Sequence, residues 1–381
     1  MAETPDFETA LAQLEGIVRA LEQGDLKLEE ALERFETGVH LSRLCQDALR
    51  AAELRVEKLL ADDPDTSGTT DGPEDLPPSP PIPSLRRMPK MTSHSETLAH
   101  WRQQIDRRLE QHLETLPAGT LRDAMHYALT GPGKRVRPLL AMATADVLNG
   151  RAEDALDAAC ALEMIHTYSL VHDDLPAMDD DALRRGRPTC HIRFDEATAI
   201  LAGDALLTLA FEVLGRQPGP AARHLGMVTV LARASGAAGM VAGQAWDMEA
   251  TGRNVDLDTL KRIHRHKTGA LIQASLVMGA LAANADQPLQ DQMAQLGDCL
   301  GLAFQIQDDI LDEVSDTETL GKAAGHDREQ NKSTYVRLLG LDGARREADR
   351  LMKDARRILD GINAADTPLA RLIDDLAQRN H

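Results

Sequence analysis

Two stretches of this sequence concentrate carboxylates in patterns that could do chemistry. The first, residues 166–189, reads HTYSLVHDDLPAMDDDALRRGRPT and carries Asp173, Asp174 and Asp179, followed by Arg184 and Arg185. The second, Asp308-Asp309-Ile310-Leu311-Asp312, lies far downstream. Asp308 and Asp312 are four apart and share a face on a helix, with Asp309 about 100° round. Carboxylates this close repel one another unless a cation sits among them. Oxygen-only ligands select a hard ion, and Mg2+ typically keeps waters and takes one or two carboxylates plus substrate phosphates. The first cluster ends an apolar helix, which Pro176 breaks or bends so that Asp179 can swing back. One such cluster could be a solvated acidic face. Two in one chain, both on otherwise apolar helices, fit metal sites better.

Bases accompany the acids. Gly131-Pro132-Gly133 is followed by Lys134, Arg135 and Arg137, with Pro138 fixing a helix start. Arg184 and Arg185 follow the first cluster, and Lys267-Thr268, Lys322 and Lys332 flank the second. Guanidinium forks suit diphosphate oxygens and lysines add point charge. Each base alone reads as a surface residue, but together with two metal sites they describe a pocket for two diphosphates. His166 precedes Asp173 by seven residues, nearly two helical turns, so both face the same cavity.

Helices must position these groups. Aromatics make up only 3% of the 381 residues, and no strong period-2 alternation is visible, so an all-α protein is expected. Trp101, Ile105, Leu109 and Leu113 share one face, and Leu121, Met125 and Leu129 form a shorter one. Further helices are expected over 199–214, 228–245, 260–281, 293–311 and 344–360. Net charge is −19, which disfavours nucleic-acid binding by the whole surface, and direct nucleic-acid contact is not expected. Residues 1–80 hold 19 acids and 7 bases, so most of that excess lies there. Cys45, Cys160, Cys190 and Cys299 are scattered with no Cys-x-x-Cys pair, which suits a reducing compartment and argues against structural zinc. The start, MAETPDFETA, lacks signal-peptide features, and no apolar run of about 18 residues is read, so a cytoplasmic protein without a membrane span is expected.

The N-terminal part has its own pattern. Phe7, Leu11, Leu14, Val18 and Leu21 step by four and three, Gly24 interrupts, and Leu28, Leu32, Phe35, Cys45, Leu49, Val56 and Leu59 continue. This is the narrow seam of a two-helix, coiled-coil-like hairpin over 5–61, too small to hold a core alone and expected to dock on itself or a partner. Residues 62–90 hold eight of the eighteen prolines and read as a disordered linker. MTSHSETLAHW, from Met91, looks like a natural protein start, so 91–381 is expected to be a separate domain, fused or read jointly with what precedes it.

Two resemblances follow from these residues. Residues 5–61, with Leu28-Glu29-Glu30-Ala31-Leu32 and Phe35-Glu36-x-Gly38, resemble the small subunit of exodeoxyribonuclease VII, a family without catalytic residues that wraps on a large nuclease subunit. Residues 95–381 resemble the trans-isoprenyl diphosphate synthases, most closely the bacterial farnesyl diphosphate synthases. That likeness rests on Gly133-Lys134-Arg135-x-Arg137-Pro138, EMIHTYSLVHDDLPAMDDDALRRGRPTCH, Lys267-Thr268-Gly269, Phe304-Gln305-Ile306-Gln307 before Asp308, Gly321-Lys322 and Lys332-x-Thr334-Tyr335. Pro132 departs from the family's usual glycine.

The second resemblance implies an isoprenoid-synthase helical bundle with a central cavity, usually homodimeric, using three Mg2+ ions. Asp173 and Asp179 would bind two, with Asp174 in support; Asp308 would bind the third, with Asp309 and Asp312 assisting. Arg184, Lys267, Lys322 and Lys332 would grip an allylic diphosphate, and Lys134, Arg137, His166 and Arg185 isopentenyl diphosphate. The Lys267 and Thr268 carbonyls and Gln305 would face the developing cation. Tyr168 and Ser169, five and four residues before Asp173, would set product length, with fifteen carbons expected. Geranyl or geranylgeranyl diphosphate synthesis is the alternative within this class. The rival from another class is a nuclease-assembly subunit carrying an inactive synthase-like scaffold. A terpene cyclase fits less well, because those enzymes usually lack a set like Lys134 and Arg137.

Overall fold

A computed structural model of the chain describes residues 93–216, 219–314 and 333–377, together with Thr37. The hairpin and linker regions apart from Thr37, and the bases Lys322 and Lys332, lie outside the described residues. Backbone contacts divide the chain into Met1–Arg86 and Arg87–His381, and the second unit carries both acidic clusters.

The second unit opens with α1, His94–Glu114. Ser93 and Glu96 close a capping box at its start, which satisfies two amide donors the helix cannot. Leu98, Trp101, Ile105, Leu109 and Leu113 bury one stripe, as their spacing predicts. After α2, Thr120–Leu129, the chain turns through Gly131-Pro132-Gly133 into α3, Val136–Val147. Leu121 was expected on the inner face of α2 but is 43% exposed, because only Ala124, Met125 and Leu129 point inward.

The central element is α4, Leu156–Asp173, entered through the short 3₁₀ turn Ala152–Ala155. A helix apolar on every side must be covered on every side. Only Asp157, His166, Ser169, Leu170, His172 and Asp173 of α4 keep partial exposure. It is followed by a two-residue antiparallel hairpin, β1 (Leu183–Arg184) with β2 (Arg187–Pro188), then α5 (Cys190–Arg193) and α6 (Glu196–Arg216). The hairpin was not anticipated, since two residues per strand are too few for alternation to register.

Helix α6 packs most extensively against α4. By length and composition, Glu196–Arg216 and the stretch Ala221–Ala250 reach the threshold of a membrane-crossing helix, contrary to the reading that no segment does. In α6 the cause is an inner stripe, Ala199, Ala202, Leu206, Leu209, Ala210, Val213 and Leu214, buried within the bundle.

The remaining helices are α7 (Ala221–Ser235), α8 (Met240–Ala250), α9 (Leu257–His264), α10 (Ala270–Ala282), α11 (Gln287–Val314), α12 (Tyr335–Leu339), α13 (Leu341–Gly361) and α14 (Pro368–Ala377). One helix was expected over 228–245. Two form instead, broken at Gly236–Gly239, where a side chain on Gly239 would overlap the backbone of Ala234. The expected helix over 260–281 is interrupted by a π-helical turn at Arg265–Gly269. Most buried residues form one core around α4, and a smaller cluster joins Leu260, Ile306, Ile310, Tyr335 and Leu351.

Candidate active site

The C-terminal end of α4 forms the first acidic cluster. The turn after Pro176 brings the Asp179 amide back to donate to the Asp173 carbonyl at 2.8 Å, so the two acids stand side by side as the proline suggested. Burial pushes the Asp173 carboxyl up to about 6; the Asp179 and Asp174 charges add to this, while Lys267 and Arg184 oppose it. Asp174 points elsewhere. It is 3% exposed and accepts from Arg184 Nε at 2.6 Å, and Arg184 Nη2 also donates to Asp181 at 3.2 Å.

Arg185 sits at the hairpin tip in the left-handed region (φ 53°) and donates to the Pro132 carbonyl at 2.6 Å. This ties the hairpin to the turn that carries Lys134. Within that turn Arg135 is also left-handed (φ 51°), and its buried guanidinium is consumed structurally. It donates to Asp106 at 2.8 Å, to Glu163 at 2.7 Å and to the Leu129 and Gly131 carbonyls at 3.0 and 3.3 Å. Pairing the charge with two carboxylates is what makes its burial tolerable. Lys134 and Arg137, on either side in sequence, line a cavity of about 590 Å³ together with Arg102, His166, Arg185, Thr268, Gln305 and Asp308. That lies within the roughly 300–1,000 Å³ usual for small-molecule sites. Burial, then the Arg137, Arg185 and Arg184 charges, hold the His166 imidazole well below its ordinary value, so it is neutral at pH 7.

The opposite wall is the π turn. π turns re-aim side chains and recur at functional sites. This one is wedged between two glycines, since a side chain on Gly243 would overlap the Lys267 backbone and one on Gly301 would press on Gly269. Lys267 Nζ donates to Asp247 Oδ2 at 2.6 Å, and Thr268 Oγ1 donates to Gln305 Oε1 at 3.0 Å. Burial works against the Lys267 charge, but Asp247, aided by Asp173 and Asp179, holds its pKa above the ordinary lysine value. Lys267 thus senses the first acidic cluster, and its neighbour Thr268 contacts the helix of the second. Asp247 had not been anticipated; its only local signal is a carboxylate four residues after Gly243 on an apolar helix.

In the second cluster, Asp308 lines the cavity and Asp312 is partly exposed one turn further on. Asp309 is buried and accepts from the Tyr335 backbone amide at 2.7 Å. It also borders a second cavity, shared with His264, Lys267, Gln305 and Thr334. Among the described residues no three His, Cys, Asp or Glu side chains converge into a ready-made metal cage. That donor set still suits Mg2+, which takes few protein carboxylates and draws its other ligands from phosphates and water.

Tyr168 is 7% exposed and lies one turn below Asp173, whose charge, after burial, helps raise its hydroxyl to about 12. Its ring meets the His172 edge at 5.8 Å, and Ser169 Oγ donates back to the His166 carbonyl at 2.8 Å. His172 in turn sits where a side chain on Gly203 would be, so α4 and α6 approach closely at this level.

An all-helical bundle with aspartate clusters on two of its helices and a cation-lined cavity bordered by Asp308 defines a class, the trans-prenyl transferases. The chain belongs to the polyprenyl synthetase family, whose model matches residues 118–363. Farnesyl diphosphate synthase of Escherichia coli is 52% identical over 269 residues, covering 68% of this chain and 89% of that protein. Geranylgeranyl pyrophosphate synthase 4 of Arabidopsis thaliana is 41% identical over 297 residues, covering 77% of this chain and 78% of its own. Among solved structures, geranyltransferase of Helicobacter pylori complexed with magnesium and isoprenyl diphosphate matches with a TM-score of 0.67 and 34% identity, over 75% of this chain and 96% of that one. Residues 7–58 match a second family, the exonuclease VII small subunit.

Proposed function

We propose that residues 91–381 form a farnesyl diphosphate synthase, joining isopentenyl diphosphate to dimethylallyl and then geranyl diphosphate. The observation that carries this is one cavity with two differently built walls. Lys134, Arg137, neutral His166 and Arg185 line one side, while Thr268, Gln305 and Asp308 line the other; Lys267, coupled to Asp173 and Asp179, precedes Thr268 and borders the adjoining cavity that also reaches Gln305. In this reading Arg184, Lys267, Lys322 and Lys332 hold the allylic diphosphate, and the first wall holds isopentenyl diphosphate.

Asp173 and Asp179, backed by Asp174, and Asp308, backed by Asp309 and Asp312, would hold three Mg2+ ions. Magnesium supplies charge neutralisation of the leaving diphosphate, and the complex named for the Helicobacter protein supports that choice. Lys267 adds a fixed positive charge to the same leaving group as the allylic C–O bond ionises. The Lys267 and Thr268 carbonyls and Gln305 then face the developing cation, which the isopentenyl double bond attacks. Excluding water protects that cation from hydrolysis. No side chain is assigned as the base, and the released diphosphate takes the proton.

Tyr168 and Ser169 would set product length. The geranylgeranyl synthase relatives support a twenty-carbon product as the second reading. Incubation with Mg2+, dimethylallyl diphosphate and isopentenyl diphosphate, followed by sizing of the chain, decides between them. A fifteen-carbon product is expected, shifting to twenty carbons or more in Tyr168→Ala; an unchanged profile in that variant removes Tyr168 from the role.

The outward residues Ile192, Ile200 and Leu201, 55%, 44% and 56% exposed near the start of α6, support a homodimer. The 7–58 match supports residues 5–61, joined through a linker at 62–90, as a docking module for an exodeoxyribonuclease VII large subunit. Retention of that subunit by the full chain, and loss of retention on deleting 5–61, tests this role separately.

A further inference from the structure

We propose that Arg102 is a further binding residue for the diphosphate of isopentenyl diphosphate, an inference that rests on the function proposed above. Arg102 is on α1, one residue after buried Trp101, and its exposed guanidinium reaches across to the turn before α3. There Nη2 donates to the Gly133 carbonyl. The preceding carbonyl, Pro132, is the one that receives Arg185. Two guanidiniums from distant parts of the chain are therefore parked on consecutive carbonyls of one turn. Gly133 leaves room for the second of them, since Arg185 Nη1 stands where a side chain at that position would be. Both arginines line the same cavity as Lys134 and Arg137.

How these groups are held separates them from the other cations of the site. Arg135 is paired with Asp106 and Glu163, Arg184 with Asp174 and Asp181, and Lys267 with Asp247. Among the described residues Arg102 and Arg185 have no such carboxylate; each is steadied by a carbonyl. A carbonyl orients a guanidinium without neutralising it. With five N–H donors and one engaged, each retains its charge and a fork for phosphate oxygens. Arg102 is thus built like Arg185, and the turn presents the pair toward one anion. Its position on an amphipathic helix 31 residues before Gly133 gives no hint of this in the sequence.

The test is steady-state kinetics of the full chain, wild type against Arg102→Gln and Arg102→Lys, varying each substrate in turn. The KM for isopentenyl diphosphate should rise about tenfold in Arg102→Gln, the scale of one charge-assisted hydrogen bond at a partly wet site, with the allylic KM within twofold. Arg102→Lys should recover part of the loss, and added salt should weaken the wild type more than the Gln variant. An unchanged isopentenyl KM overturns the proposal. So does an equal rise in both KM values with a lowered melting temperature, which marks Arg102 as a brace for the turn. Absence of turnover in the wild type is instead a failure of the function reading. In that event calorimetric titration with inorganic pyrophosphate decides: weaker binding by Arg102→Gln supports a diphosphate contact, and equal binding overturns it.

Discussion

The two aspartate clusters use the same residue type in different settings. The first closes α4, and its acids are brought together by a proline turn rather than by helical spacing. A carboxylate at a helix C-terminus opposes the helix dipole, and burial adds to that cost, so ionised Asp173 is at odds with its surroundings until a cation arrives. The second cluster lies within α11, where Asp308 faces the cavity and its neighbour Asp309 is committed to the Tyr335 amide. In both, one adjacent carboxylate keeps partial exposure and the next, buried, anchors structure: Asp174 holds Arg184, and Asp309 holds the start of α12. An acid's place in a motif does not reveal which of these it does.

The largest effect that tests this contrast is at Asp173. Asp173→Ala should lower turnover by about 10³-fold or more, the scale of losing a principal electrostatic contact to the leaving group. Because ionised Asp173 is disfavoured in the fold, thermal denaturation of the metal-free variant at pH 7 should show stability held or slightly raised. A variant that is active at saturating Mg2+, or that unfolds early, breaks the distinction.

The next comparison sets Asp308→Ala against Asp309→Ala. Both should lose turnover, but only Asp309→Ala leaves a buried amide without its acceptor. Urea denaturation should find it less stable by about 1–3 kcal/mol, with Asp308→Ala close to the wild type. Equal stabilities would remove the anchoring role.

The smallest effect concerns His264, which borders the Asp309 cavity and lies 5.7 Å from the Tyr335 ring, centroid to centroid. Burial, assisted by Lys267 and opposed by Asp247, lowers its imidazole to about 4. The unfolded chain takes up this proton first, near pH 6.5, so stability from this residue is present above that pH. It is lost as pH falls toward 4, by at most about 3 kcal/mol. His264→Gln should flatten that part of the profile measured by denaturation at successive pH values.

Much of this architecture was legible without coordinates. The stripe Trp101-Ile105-Leu109-Leu113 marks a buried face because helical spacing is a local property. Pro176 announces the turn that returns Asp179 to Asp173, because a proline's constraint is local too. The acids and bases of the cavity stand out by type and spacing for the same reason.

Other features depend on what lies across space. The π turn exists where Gly243 and Gly301 of two other helices crowd the backbone, and nothing within Arg265–Gly269 announces it. Asp247 gains its meaning from a lysine 20 residues away, and Arg102 from a carbonyl 31 residues away. Asp309 looks like its neighbours until Tyr335 claims it. Spacing along the chain thus determined the buried stripe of a helix such as α1 and which residues carry charge. Only packing decided which charges are spent on one another and which are left for a substrate, because a pair forms between residues that share no local pattern.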